Sequence, residues 1–167
     1  MRRRQWSTTT CPIDGFRDSL KAKMARPPIE YVSDSDVSSS LDREIRELLA
    51  LCFTGPDNEM FRHRRYWMEP PTHRWIMRNA GGSLIAHLAA HDKLIGTTTG
   101  ELHIGGIAEV AVHPAARGMG HVKELLGIAH PALERSGCEF ALLFGRPGVY
   151  RSSGYTVADN TVRYFYH

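Results

Sequence analysis

Between Glu109 and Leu126 the stretch EVAVHPAARGMGHVKELL changes hydrophobic period, and the residues at the change are suited to holding an anion. Val110 and Val112 alternate with Ala111 as in a strand, whereas Val122, Leu125, Leu126, Ala129 and Leu133 recur at helical spacing. Arg117-Gly118-Met119-Gly120 lies between them. The first turn of a helix leaves backbone N–H groups without intrahelical acceptors and carries a partial positive charge, both of which suit phosphate. Gly118 and Gly120 remove side chains where an anion would approach the backbone, and Arg117 adds a cation. The chemistry suggested is a diphosphate cradle. A strand, a Gly-rich turn and a helix also describe ordinary α/β packing, so this stretch alone leaves both readings open.

Two familiar nucleotide motifs do not fit. GxxxxGK[ST] is absent, and GxGxxG would need glycine where Lys123 stands. The elements that must position the turn can be read along the chain. Ile29 to Val32 reads as a first strand, and SDSDVSSS offers several N-caps, Ser39 among them. Leu41, Ile45, Leu48, Leu49 and Cys52 mark one face of a helix that Gly55-Pro56 stops. DNEMFRHRRYW predicts a second, shorter helix. Strands are predicted over 73–78 and 84–94, joined at Ala80-Gly81-Gly82, followed by a loop at 96–100 and a strand over 101–113. Gly105-Gly106 inside that strand suggests a bulge or a close backbone approach. A helix from about Gly118 to Ser136 should kink at Pro131 and stop at Gly137. A buried-type strand over 140–144, a short helical turn in GRPGVYRSSGY and a last strand over 161–166 complete the order. The fold class is α/β (α+β mixed): a mostly antiparallel sheet flanked by helices, with a parallel crossover from the 101–113 strand through the helix to Phe140.

At 167 residues and 42% apolar content the chain suits one domain with a real core, and no apolar run approaches membrane-spanning length. The formal charge of +3 is concentrated in residues 1–30, which carry an excess of four positive charges, so the body is close to neutral. The expectation is a basic N-terminal extension over 1–27 and one domain over 28–167, with no nucleic-acid or membrane partner. Cys11, Cys52 and Cys138 are sparse and without CxxC, which argues against disulfides and a metal site and favours a cytoplasmic protein. His63, His73, His87, His91 and His103 could cluster in space, but no metal site is expected.

VAVHPAARGMGHV resembles the acetyl-CoA-binding segment of the GNAT superfamily of N-acetyltransferases, written [QR]xxGx[GA] after a strand end. Arg117 and Gly120 match its first positions, and Val122 stands where glycine or alanine is usual. FGRPGVYRSSGY is similar to the superfamily's second signature through Tyr150, Gly154 and Tyr155, with Val149 replacing an aromatic residue. The layout is similar to that of aminoglycoside 2'-N-acetyltransferases and, more loosely, nodulation-type N-acyltransferases.

The resemblance implies that backbone groups of Val110, Ala111 and Val112 pair with the pantetheine arm of acetyl-CoA. It also implies that Arg117, Gly118, Met119, Gly120, His121 and Val122 hold the pyrophosphate. Tyr150 is implied as the general acid that protonates the departing thiolate. The attacking amine must be neutral, so a base is needed; Glu109 is the candidate, with His113 and His87 behind it. Arg62, Arg64 and Arg65 are either an anionic-acceptor site or a solvated helix face, while Trp67 and Trp75 are expected in the core. The implied reaction is N-acetylation of a primary amine on a small molecule or peptide by direct attack in a ternary complex. Transfer of longer acyl chains and a non-catalytic CoA-binding module are the alternatives. A homodimer is among the assemblies the resemblance allows.

Overall fold

The computed structural model describes residues 26–157; nearly all of the basic extension and the expected strand at 161–166 lie outside that range. Among the described residues five strands form one sheet in chain order: β1 (Ile29–Ser33), β2 (His73–Arg78), β3 (Leu84–Thr97), β4 (Gly100–Val112) and β5 (Phe140–Leu143). The first four are antiparallel and β4–β5 is parallel, the mixed sheet the periodicities predict. Helix α1 (Ser39–Cys52) follows β1, α2 (His121–Arg135) makes the crossover to β5, and α3 (Pro147–Tyr150) is one turn.

Strand alternation sends side chains to two cores. Trp75, Met77, Leu88 and Ile107 pack with Leu125, Leu126, Ala129 and Leu133 of α2. Ile76, Leu84 and Ala111 face Leu41, Ile45, Leu48 and Leu49 of α1 instead. Each fully buried aliphatic side chain contributes about 1.5–3 kcal/mol, so both faces of the sheet are anchored by its helix. Ser38 caps α1, its hydroxyl accepting from the Leu41 amide at 3.2 Å, in place of Ser39.

Several expectations need correction. The second helix is a 3-10 segment, Pro56–Arg62, followed by irregular chain. The loop at 96–100 is a tight turn, because β3 and β4 stay paired out to Thr97 and Gly100. Helix α2 begins at His121, leaving Gly118 and Gly120 as turn residues. The helix runs unbroken through Pro131: the carbonyl left without a donor belongs to Gly127, on an exposed face where water can replace the bond. Strand β5 is half-exposed, with Phe140 58% accessible while Leu143 packs against the α2 core. Trp75 is buried as expected, but Trp67 is exposed.

The bulge is not at Gly105-Gly106, whose pairing to β3 is regular. Gly105 instead lets α2 approach, since a Cβ there would stand 2.6 Å from Leu133 Cδ1. The register slips where Leu88 of β3 faces two residues, Glu109 and Val110, between the pairs Ala89–Ala108 and His87–Ala111.

Candidate functional site

Strand β5 pairs with β4 only from Ile104 to Ile107, so β4 runs on to Val112 without a described neighbour on that side. The divergence opens a cleft of about 550 Å³ between the end of β4, the start of α2 and α3. Its walls include Val110, Ala111, Val112, Arg117, Gly118, Gly120, His121, Val122 and Tyr150. Of the residues expected to bind acetyl-CoA or to serve as acid and first-choice base, Met119 and Glu109 do not line it; Met119 points to solvent, 67% exposed.

The turn is shaped for an anion. Gly118 and Gly120 adopt φ of 77° and 86°, and a Cβ on either would meet nothing within 4 Å. Glycine is required there by backbone conformation and leaves open space above the chain. Gly120 caps α2, and the first intrahelical bond is made by the Glu124 amide, so the amides of residues 121–123 have no helical acceptor. Arg146 lines the opposite wall, a cation that sequence reasoning missed. Among the described lining residues none is acidic, so helix dipole and guanidinium groups act with the same sign. The Val112 carbonyl accepts from Arg117 Nε at 3.2 Å and from the Cys52 thiol at 3.3 Å.

Tyr150, at the end of α3, lies against Gly145: a Cβ on that glycine would stand 2.5 Å from the ring's Cε2. Its ring also meets Tyr155 edge-on, with centroids 5.9 Å apart, and Tyr155 bonds His130 at 2.8 Å. Burial raises the Tyr150 pKa above its ordinary value, so the hydroxyl is protonated throughout the neutral range.

Glu109 is the bulge residue, and its φ of 46° is left-handed, the single such non-glycine among the described residues. The side chain is buried, with Oε1 accepting from the Trp67 amide at 3.0 Å and Oε2 without a hydrogen-bond partner. Burial raises its pKa, against which the Trp67 bond and the Arg74 charge pull down. A carboxylate with one free, desolvated oxygen is a competent proton acceptor. The bulge sets which face the Glu109 side chain meets, because an extra residue reverses strand parity.

The fallback bases are otherwise engaged. His87 is fully buried, bonded to Arg74 and to the Glu109 carbonyl, and burial together with the Arg74 charge lowers its pKa to about 3. His113 Nδ1 accepts from the Ala115 amide at 3.2 Å, capping a 3-10 turn. Of the arginines before Trp67, Arg65 joins Asp34 (2.7 Å) and Asp42 (3.0 Å) in half-buried ion pairs, so it is neither solvated nor free for an acceptor. Arg62 pairs loosely with Glu59, and Arg64 rests near Met60 and Tyr66.

One group bears on the metal expectation. Asp92, His103 and Cys138 bring their donor atoms within 4.8 Å of one another at the far end of β4. His103 Nε2 and Asp92 Oδ1 are hydrogen-bonded to each other, beside the Cys138 thiol.

A family model described as an acetyltransferase (GNAT) domain matches residues 36–158. No curated protein matches the chain by sequence. Among solved structures, a GNAT-family N-acetyltransferase from Escherichia coli in complex with CoA is 20% identical with a TM-score of 0.61, covering 78% of this chain and 69% of that one. An aminoglycoside acetyltransferase from an uncultured soil metagenomic sample, in complex with sisomicin, is 16% identical with a TM-score of 0.58 and coverage of 93% and 98%. A ribosomal-protein-alanine N-acetyltransferase from Brucella melitensis is 19% identical with a TM-score of 0.59 and coverage of 85% and 100%.

Proposed function

Because the chain belongs to the GNAT acetyltransferase family, we propose that it is an acetyl-CoA-dependent N-acetyltransferase acting on a primary amine. The observation that carries this reading is the single cleft that gathers the unpaired end of β4, the Gly118–Gly120 turn and Tyr150. The pyrophosphate of acetyl-CoA sits against the amides at the start of α2, with Arg117 and Arg146 to either side. The pantetheine arm runs along Val110 and Ala111 as a missing strand would. Glu109 Oε2 takes the proton of the attacking amine through water. The neutral nitrogen attacks the thioester carbonyl, the C–S bond breaks as Tyr150 gives a proton to the thiolate, and the new amide nitrogen loses its extra proton to the Tyr150 phenolate, through water.

Direct transfer in a ternary complex is favoured over an acyl-enzyme. Cys138 lies away from the cleft, and burial raises its pKa. Cys52 does line the cleft, but its S–H donates to the Val112 carbonyl. The acceptor is a small molecule or a peptide, the two classes that the sisomicin-bound and ribosomal-protein neighbours represent.

The test is thiol release from acetyl-CoA with a panel of aminoglycosides, polyamines and peptides with free N-termini. Glu109→Gln should reduce kcat by about 10²–10⁴, as loss of a general base does. The same variant should gain stability relative to the wild type as pH rises. A raised folded pKa means that the fold favours the protonated acid, so stability is lost as Glu109 ionises, and Gln cannot ionise. Turnover by longer acyl-CoAs alone would replace acetyl with a longer chain. If CoA raises the Tm and no amine releases thiol, the protein is a CoA-binding module.

A further inference from the structure

Beneath Glu109 lies a set of buried polar groups that the reaction itself does not touch. Arg74 of β2 is fully buried in an otherwise apolar run, and its guanidinium reaches three partners. Nε donates to Asp34 Oδ1 at 2.8 Å, Nη1 to His87 Nε2 at 2.8 Å, and Nη2 to the Arg65 carbonyl at 3.3 Å. Asp34 in turn binds Arg65, so the chain entering Trp67 is held at both its side chain and its backbone.

The chemistry of the donors fixes the state of His87. A guanidinium has only N–H donors, so the facing Nε2 must be bare and accept. The ring's single proton therefore sits on Nδ1, 2.8 Å from the Glu109 carbonyl, and donates to it. The other arm of Arg74 holds the Arg65 carbonyl, two residues before the Trp67 amide that binds Glu109 Oε1. Glu109 is thus gripped at its main chain by one arm and at its carboxylate by the other. A glutamate at φ 46° disfavours its own backbone conformation, and two independent tethers account for its being held there.

We propose that Arg74 is a positioning residue for the reaction: through His87 it sets the bulge backbone of Glu109, and through the 65–67 segment it aims the Glu109 carboxylate. The proposal rests on the reading of Glu109 as the base. It requires His87 to be a fixed neutral tautomer, which makes that ring part of the support and not a second base. It also assigns Arg65 a role in the same support.

Arg74→Lys tests it, because lysine keeps a positive charge beside Asp34 but cannot reach three acceptors with fixed geometry. With acetyl-CoA and the best amine of the panel, kcat should fall about 10–100-fold, the scale of a misplaced catalytic group, while the KM for acetyl-CoA stays within about twofold. His87→Asn, folded by circular dichroism, should show the same split. In Arg74→Met the acid limb of the kcat–pH profile should move to higher pH, since the lost charge no longer favours the Glu109 carboxylate. Nitrogen NMR of the wild type should show His87 protonated on Nδ1 and unprotonated on Nε2 throughout about pH 5–8. The opposite tautomer, or titration of His87 in that range, overturns the proposal. So does wild-type kcat in Arg74→Lys and His87→Asn when Glu109→Gln is inactive, a result that leaves the base intact. Wild-type kcat in Glu109→Gln removes the base reading, and the proposal with it.

Discussion

Acidification from about pH 7.5 to 5 should remove about 2 kcal/mol of folding stability through one ring, His87. In the unfolded chain the imidazole takes up a proton below about pH 6.5. In the fold, burial and the Arg74 guanidinium lower its pKa to about 3, so the native ring stays neutral over most of that interval. The unfolded state then binds one proton more than the native state, and acid favours unfolding. The contribution is complete above pH 6.5, is lost as pH falls, and stops changing near pH 3. One proton corresponds to about 1.36 kcal/mol per pH unit, hence about 2 kcal/mol at pH 5, a figure insensitive to where below pH 4 the folded pKa lies. For a chain of this size that corresponds to about 4–8 °C in Tm. His91 and His130, whose pKa values burial also lowers, add in the same direction and must be subtracted. Asp34 and Asp42 are different. Burial pulls their pKa values up, but hydrogen bonds from Arg65 with Arg74 or Arg46 outweigh it, so their contribution is lost only at lower pH. The measurement is therefore a difference: urea unfolding of wild type and His87→Asn followed by tryptophan fluorescence. The variant should be less stable near neutrality, because Arg74 Nη1 loses its acceptor. The gap should narrow by about 2 kcal/mol at pH 5. A gap that stays constant would mean that folded His87 accepts a proton, and the tautomer reasoning would be refuted.

Two further substitutions probe the cleft. Gly145→Ala would place a Cβ 2.5 Å from Tyr150 Cε2, and a normal carbon contact of about 3.5 Å requires the ring to retreat by about 1 Å. That should lower kcat about 100-fold with little change in acetyl-CoA KM; an unaltered kcat would show that the ring's position is unimportant. Gly120→Ala meets no atom but forces alanine to φ 86°, costing about 1–2 kcal/mol in the free protein. Wild type at about 100 times the CoA Kd should gain about 2.7 kcal/mol, read as a Tm rise, and this gain should shrink in the variant because its methyl occupies the anion's approach. An undiminished rise would exclude the turn as the phosphate site.

The local order of this protein is written in its sequence. The 3.6-residue spacing of Leu41 to Leu49 and of Leu125 to Leu133 fixes which helix faces are buried, and both faces proved to be core. The Arg117–Gly120 turn was legible because a left-handed backbone demands glycine at short range, whereas Tyr150 was marked by its resemblance to a family signature. The anionic-acceptor reading of Arg65 did not survive folding, since its partners Asp34 and Asp42 come from 31 and 23 residues away. Only the tertiary structure shows the setting of Glu109. Strand periodicity cannot locate a bulge, because the extra residue is defined by the partner strand, here Leu88 facing two residues at once. Arg74 and His87 carry a faint signal as polar residues in apolar strands, yet sequence spacing gives neither their contact nor the tautomer that follows from it. Those depend on strands β2, β3 and β4 lying side by side, which places a guanidinium, an imidazole and a carbonyl in one line.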